Sequence, residues 1–142
     1  MPIVRQVLEG KGFEVATIGP DASVYDAIAA MADKEIGSLV VMESGRVVGL
    51  ISERDYARKV ILKGRLSKDT RVREIMAVRV PYARPDQTVE ECMAVLTDQR
   101  VRHLPVMEND RLIGIISIGD LVKAIIDEQK FIIDQLIHYI TG

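Results

Sequence analysis

The second half of this chain repeats the first half at a fixed distance of 65 residues. Residues 14–61 align with residues 79–126 without a gap, and 16 of the 48 aligned pairs are identical, where ordinary residue usage would give about three. A unit of this length is too small to bury its own apolar faces. We therefore expect two copies of one supersecondary unit, packed together around a pseudo-two-fold axis that relates two clefts.

Each copy has the pattern of a strand, a helix, two strands and a final helix. In the first copy Ser23 precedes an apolar pattern of helical period. The apolar strand that follows ends at a Ser44-Gly45 turn and is followed by its hairpin partner. The sequence therefore predicts an α+β fold of two β-α-β-β-α repeats. The predicted segments are a lead-in helix in 1–13, repeat 1 in 14–63, a linker in 64–78, repeat 2 in 79–127 and a C-terminal helix extension in 128–142, with the first strands at 15–18 and 80–83.

Composition and charge exclude several classes of protein. The 142 residues include 19 Lys and Arg against 21 Asp and Glu, which gives no overall attraction to nucleic acid. The single Cys92 excludes an internal disulfide and a multi-cysteine metal site. No apolar run approaches the roughly 18 residues needed to cross a membrane, and the N-terminal residues lack a signal-peptide pattern. We therefore expect a cytoplasmic protein that binds neither nucleic acid nor membrane.

The same seven-residue motif ends the second hairpin strand of both copies: Gly, two apolar residues, Ser, two further residues and Asp. It occupies residues 49–55 and 114–120, where a buried strand leads into a helix. Helix capping alone explains the Ser and Asp of one such motif. The same position also suits a phosphate, because free N–H groups and the helix dipole attract an anion. The Asp carboxylate could then accept hydrogen bonds from a ribose diol.

Basic residues open the central strand of the second copy. Arg100, Arg102 and His103 lie within four residues, whereas repeat 1 has Glu-Ile-Gly-Ser at positions 35–38, so the fold does not require cations there. One interpretation is a favourable helix end followed by a half-buried histidine. The other is an electropositive cleft that faces a phosphate, and it explains the clustering better.

The last helix carries more apolar residues than the repeat requires. We interpret this apolar stripe as an oligomer contact, with packing against the chain's own core as the alternative, and we expect a homodimer. The residues are Phe131, Ile132, Ile133, Leu136, Ile137 and Ile140.

The sequence contains no pattern of an enzyme active site. It lacks a Walker loop, a dinucleotide glycine fingerprint, a serine elbow and a zinc spacing. Neither histidine has an evident acid or base neighbour in sequence, and we expect a binding protein with no catalytic residues and no metal site.

The duplicated motif, together with Arg102-His103-Leu104-Pro105-Val106, resembles a tandem pair of cystathionine-beta-synthase (CBS) domains, also called a Bateman module. Residues 50–60 and 117–122 are similar to the stand-alone single-pair proteins of bacteria and plant organelles. The resemblance implies a regulatory protein that binds AMP or ADP, with ATP or NAD(H) as further candidates. A conformational or oligomeric change would then report occupancy to an unidentified downstream protein. The alternative is a structural adaptor with vestigial ligand clefts.

In that family each cleft combines the Ser-x-x-Asp of one repeat with the first two strands of the other. The resemblance implies that Asp55 binds the ribose hydroxyls, while Ser52 and the arginines bind the phosphate. The implied first cleft comprises Ser52, Arg54, Asp55, Tyr82, Ala83, Arg100, Arg102, His103 and Pro105. The implied second cleft comprises Ser117, Asp120, Thr17, Ile18, Gly37, Ser38 and Leu39. Because Gly119 replaces Arg54, and Gly37-Ser38 replace Arg102-His103, we expect two unequal sites.

Overall fold

A computed structural model describes all 142 residues, Met1–Gly142. The chain forms two compact units: unit 1 comprises Met1–Glu14 and Pro81–Gly142, and unit 2 comprises Val15–Val80. Unit 1 therefore joins repeat 2 to the segment that precedes repeat 1. The mixture of helices and strands confirms the predicted α+β class.

Unit 2 contains a three-stranded sheet in the order β1-β2-β3. β1 pairs parallel with β2, and β2 pairs antiparallel with β3. The predicted cap of the first helix is confirmed, because Ser23 Oγ accepts a hydrogen bond from the Asp26 N–H at 3.0 Å. The elements are β1 Thr17–Ile18, α2 Val24–Lys34, β2 Ser38–Glu43, β3 Arg46–Ser52, α3 Glu53–Tyr56, a π-helical turn Ala57–Ile61, a 3₁₀ turn Ser67–Asp69 and α4 Val72–Ile75.

Unit 1 repeats this plan around a two-stranded antiparallel hairpin. The pairing of β4 with β5 has a register irregularity after Val106, and the β2–β3 pairing has one at the equivalent Val41. The duplication therefore extends to the details of the backbone. The elements are α1 Val4–Lys11, α5 Val89–Gln99, β4 His103–Glu108, β5 Arg111–Ser117 and α6 Ile118–Thr141.

The first strand predicted for repeat 2 is absent. Residues 80–83 form only a single parallel bridge, at Ala83. In unit 2 the N–H of Val40 donates to the Ala16 carbonyl at 3.1 Å. The residue equivalent to Val40 is Pro105, which has no N–H to donate. The loss of this ladder bond explains why the edge strand of repeat 2 is reduced to one bridge.

A short helix from outside the repeat packs on the hairpin of each unit. In unit 1 this helix is α1, and its Leu8 is fully buried in the core. In unit 2 the equivalent helix is α4, with Val72 fully buried. A Cβ added to Gly114 would lie 2.7 Å from Leu8 Cδ2, and one added to Gly49 would lie 2.8 Å from the Ala77 carbonyl oxygen. The glycine that opens each seven-residue motif is therefore required by packing.

Lys11 attaches the end of α1 to the start of α6. Its Nζ donates to the Ile115 carbonyl at 2.7 Å and to Asp120 Oδ2 at 2.6 Å. Burial raises the pKa of Asp120, but the hydrogen bonds from Lys11 and from the Ser117 N–H outweigh that effect. The pKa of Asp120 therefore lies below its ordinary value.

The C-terminal extension predicted from the sequence is one continuous helix. α6 has 24 residues, and Leu121 near its start is fully buried. Every residue from Gln129 to Gly142 is exposed, which excludes packing of the apolar stripe against the chain's own core. Despite its length, neither α6 nor any other helix is long and apolar enough to span a membrane.

We expect Gly49→Ala to lower the free energy of unfolding by about 1–3 kcal/mol, the usual cost of overpacking. The new Cβ would meet the Ala77 carbonyl oxygen and Met76 Sδ. Gly10→Ala is the matched control, because a Cβ there has no neighbour within 4 Å. Gly10 lies inside α1, so alanine should raise the free energy by up to about 1 kcal/mol. Urea unfolding measures both values, and equal effects would contradict the packing role of Gly49.

We expect Lys11→Met to lower the free energy of unfolding by about 0.5 kcal/mol at pH 7, a modest value because the pair is partly solvated; the side chains are 34% and 24% exposed for Lys11 and Asp120. Because folding lowers the pKa of Asp120, the pair stabilises fully above the unfolded-state pKa of aspartate. This stabilisation is lost as pH falls through the lower folded-state pKa. Unfolding curves of wild type and variant between pH 7 and pH 3 should therefore converge at the acid end. Lys63→Met removes a lysine that forms no ion pair, and a pH-dependent loss of the same size in that variant would contradict the assignment.

Candidate functional site

Both Ser-x-x-Asp motifs form complete capping boxes. At α3 the Asp55 N–H donates to Ser52 Oγ at 3.2 Å, and the Ser52 N–H donates to Asp55 Oδ2 at 3.0 Å. At α6 the corresponding distances between Ser117 and Asp120 are 3.1 and 2.8 Å. In both boxes the cap uses Oδ2 of the aspartate, so Oδ1 takes no part in capping. Capping and ligand binding are therefore compatible functions of the same carboxylate.

A lysine contacts each of these aspartates, but the two lysines come from different parts of the chain. Lys59 Nζ, one turn further along the same helical segment, lies 3.3 Å from Asp55 Oδ1. At Asp120 the lysine is Lys11 of α1, since the residue equivalent to Lys59 is Ala124. Sequence reasoning missed Lys11 because it is 109 residues from Asp120 and lies outside the repeat.

In unit 2 the motif lies beside the start of β2. Ser52 pairs in register with Ser38, and the Glu53 N–H donates to the Gly37 carbonyl at 3.1 Å. Arg54 is exposed and forms no ion pair. A cavity of about 270 Å³ borders Gly37 and Glu53. This unit therefore offers one free guanidinium next to its capping box.

The other predicted residues of unit 2 lie on the two parallel strands. Thr17 is exposed and Ile18 is partly buried on β1. Leu39, on β2, belongs to the core cluster of this unit. The Leu39 side chain is therefore occupied in packing, so a contribution from Leu39 to a ligand site would have to come from its backbone.

In unit 1 the motif lies beside the basic group. His103 pairs in register with Ser117, and the Ile118 N–H donates to the Arg102 carbonyl at 2.9 Å. Arg100 and Arg102 are exposed, and neither forms an ion pair. The structure thus brings the predicted arginines to the same end of the hairpin as the second Ser-x-x-Asp motif.

His103 does not contribute the positive charge that its clustering with Arg100 and Arg102 suggested. Burial lowers its pKa, and the nearby positive charges of Lys11 and Arg102 lower it further, which outweighs the opposite effect of Asp120. The imidazole is therefore neutral at neutral pH and can donate one hydrogen bond and accept another. The cations of this region are the two arginines and Lys11.

Three predicted residues of unit 1 lie on the segment before α5 and on β4. Tyr82 is 57% exposed, whereas Ala83 and Pro105 are buried. The Ala83 N–H donates to the Pro105 carbonyl at 2.8 Å. Tyr82 is thus the one aromatic side chain of the predicted set that is free to stack on a planar group.

A second cavity lies in unit 1 between α1 and α6 and has a volume of about 610 Å³, within the usual range of small-molecule sites. Asp120 is the only predicted site residue that borders it. Its other charged residues are Lys11, Lys123, Asp127 and Glu128. The motif aspartate of this unit is therefore accessible from a sizeable cavity.

Each unit brings together one motif and the start of one central strand. The residues predicted for each cleft are consequently divided between the units: Ser52, Arg54 and Asp55 belong to unit 2, while the residues predicted to complete that cleft belong to unit 1. The assembly of each cleft from both units stays a prediction.

Metal and nucleophile chemistry receive little support from the side chains. No group of three or more His, Cys, Asp or Glu residues is placed to hold a metal ion. Burial raises the pKa of the Cys92 thiol to about 11, so the reactive thiolate is scarce at neutral pH.

Comparison with known proteins assigns both repeats to the same family. The family model for the CBS domain matches residues 11–62 and 72–127. A mitochondrial CBS domain-containing protein of Arabidopsis thaliana, CBSX3, is 40% identical over 127 residues, which cover 86% of this chain and 62% of that protein. The chain thus spans less than two thirds of the length of this relative.

Solved structures agree with this family. A protein with CBS domains from Burkholderia ambifaria MC40-6 is 49% identical, with a TM-score of 0.87 over 90% of this chain and 96% of that one. The CBS domain pair of MJ0100, solved with 5′-methylthioadenosine and S-adenosyl-L-methionine, has a TM-score of 0.80 over 90% of this chain and 98% of that one at 21% identity, and this likeness concerns the fold alone. With a family match on each repeat and a fold shared with solved CBS proteins, the chain belongs to the CBS domain family and contains a pair of CBS domains.

Proposed function

We propose that this CBS-domain pair is a regulatory protein that binds adenosyl nucleotides at its two Ser-x-x-Asp motifs. CBS domain pairs commonly bind adenosyl ligands as regulatory modules. The observation that carries the proposal is that the two carboxylate oxygens of each aspartate differ in their contacts: Oδ2 caps a helix, while Oδ1 takes no part in the cap. An ionised carboxylate accepts hydrogen bonds only, which suits the two adjacent hydroxyls of a ribose.

The charges around the motifs favour a phosphorylated ligand. Arg54, Arg100 and Arg102 are exposed and form no ion pair, and arginine binds phosphate through two parallel hydrogen bonds. The start of the 24-residue α6 adds the attraction of free N–H groups for an anion. AMP or ADP is therefore the proposed ligand, with ATP or NAD(H) as further candidates.

We assign the roles within the first site as follows. Asp55 binds the ribose hydroxyls, Ser52 and the arginines bind the phosphate, and Tyr82 with the neighbouring backbone flanks the adenine. Unit 1 would supply the strand residues of this site, from Tyr82 to Pro105, as the family pattern implies.

The second site would contain Ser117 and Asp120 with residues 17–18 and 37–39. It lacks the equivalent of Arg54, but Lys11 brings a cation to its aspartate. We therefore propose two unequal sites, both able to take an anionic ligand, with tighter phosphate binding at the first.

Occupancy would change the conformation or the assembly of the protein, and an unidentified downstream protein would recognise that change. We further propose that the protein acts in the cytoplasm as a homodimer. The alternative function is a structural adaptor with vestigial clefts. The exposed apolar face of α6 supports a protein contact under either function and does not distinguish them.

Calorimetric titration with AMP, ADP, ATP, NAD and NADH tests the ligand class directly. We expect at least one of them to bind more tightly than GMP, the matched control that differs in its base. Bound nucleotide should also protect the protein from limited proteolysis, which an adaptor with vestigial clefts would not show. Absence of binding by all five nucleotides would leave the adaptor as the better function.

We expect Asp55→Asn to weaken AMP binding about tenfold or more, because a charged acceptor contributes about 1.5–3 kcal/mol to such hydrogen bonds. The amide oxygen can still cap α3, so the variant should remain folded. Asp120→Asn should have a smaller effect, and Asp21→Asn, an exposed carboxylate outside both motifs, should have none. Titration of the three variants measures the affinities, and equal losses for Asp55→Asn and Asp120→Asn would contradict the ranking of the sites.

A further inference from the structure

One face of α6 is apolar along almost its whole length and remains uncovered. With 3.6 residues per turn, nine positions share an arc about 100° wide; seven carry large apolar side chains, and the other two are Gly119, which has no side chain, and Gln129. The exposed fractions of the seven apolar side chains range from 40% at Ile118 to 80% at Ile140. We name this face the α6 stripe; it consists of Ile118, Val122, Ile126, Gln129, Ile133, Leu136, Ile137 and Ile140.

The α6 stripe concentrates the exposed apolar surface of the chain. Seven of the nineteen large apolar side chains that are exposed lie on this stripe, and three more lie elsewhere on α6; contiguous apolar patches mark interaction surfaces. The final turns have no support from the core, because every residue from Gln129 onward is exposed. Because most helical stability in proteins comes from packing of an amphipathic face, a partner on this face would stabilise these turns.

We propose that the α6 stripe binds the α6 stripe of a second copy in antiparallel orientation, across a two-fold axis at Ile133. This inference specifies the self-association included in the proposed function and does not depend on nucleotide binding. Part of the stripe is symmetric about Ile133: Ile126 and Ile140 lie seven residues to either side, and Gln129 and Ile137 lie four residues to either side. An antiparallel pair of helices therefore places the two residues of each such set opposite each other, as an isologous interface requires.

The charges beside the stripe favour the antiparallel orientation. One flank of α6 carries Lys130 and Asp134, whereas the other carries the apolar Ile125 and Ile132. In an antiparallel pair like flanks face each other, so Lys130 comes within about 3 Å, along the helix axis, of the level of Asp134 of the partner subunit. In a parallel pair the charged flank would face the apolar flank, and the aligned helix dipoles would repel.

Cysteine cross-linking of the full chain tests the position of the axis. Ile133→Cys should form a disulfide with itself across the axis, since a disulfide needs Cα atoms about 4.4–6.8 Å apart. Ile126→Cys alone should not cross-link, because its two copies would be about 21 Å apart along the helices. A mixture of Ile126→Cys and Ile140→Cys should cross-link. The native Cys92 is buried and serves as the background in the wild type.

The oligomeric state, measured by light scattering, tests whether the stripe holds the copies together. Wild type should have the mass of two chains, and Ile133→Asp should have the mass of one. Gln135→Asp is the matched control, because this exposed position lies on the opposite side of the same helix, and it should remain dimeric. Circular dichroism establishes that the variants are folded, and the cross-linking of Ile133→Cys decides the matter if Ile133→Asp does not fold.

Three results would overturn the inference: a monomeric wild type, a dimeric Ile133→Asp, or self-cross-linking of Ile126→Cys, which indicates a parallel pair. AMP titration of Ile133→Asp separates this inference from the proposed function. Retained binding with loss of the dimer supports both, whereas a dimer that binds no nucleotide leaves the interface intact and removes the sensor function.

Discussion

The close approach of another segment to the hairpin at Gly49 and Gly114 is the constraint on which both units depend. A Cβ at Gly49 would lie 2.8 Å from the Ala77 carbonyl oxygen and would push that backbone away, while a Cβ at Gly114 would lie 2.7 Å from Leu8 Cδ2 and would force the Leu8 side chain to shift. The strand that carries this glycine continues directly into the capping serine and the next helix. A packing requirement in the core thereby fixes the position of the motif aspartates, and it does so in the same way at both ends of the duplication.

The duplicated backbone carries two different arrangements of charge. Both aspartates cap a helix with Oδ2 and contact a lysine, but Lys59 comes from the same helical segment and Lys11 from a helix outside the repeat. Unit 1 also contains Arg100 and Arg102, which are both exposed. The capping geometry is thus shared by the two copies, while the cations beside it differ. This difference is the reason for proposing two unequal sites.

Features encoded over a few residues could be predicted from the sequence. The cap at Ser23, the capping boxes and the hairpins follow from spacing within single elements, and the structure confirms them. Features that depend on distant segments could not be predicted in this way. To predict that residues 80–83 form no strand, one must know that such a strand would pair through a backbone N–H at position 105, which Pro105 lacks. The contact of Lys11 with Asp120, and the neutral state of His103 beside them, arise only when segments 109 residues apart in sequence meet.

The discontinuity of unit 1 has a consequence for the order of events during synthesis. Unit 2 is a continuous stretch, so all of its parts have been made once residue 80 leaves the ribosome, and domains generally fold as units as they emerge. The segment that ends in α1 is translated before unit 2, yet the hairpin on which Leu8 packs is translated about a hundred residues later. Until then the α1 segment lacks the surface on which it packs. The α1 segment, although translated before unit 2, can therefore take up its place only after the whole of unit 2 has been made.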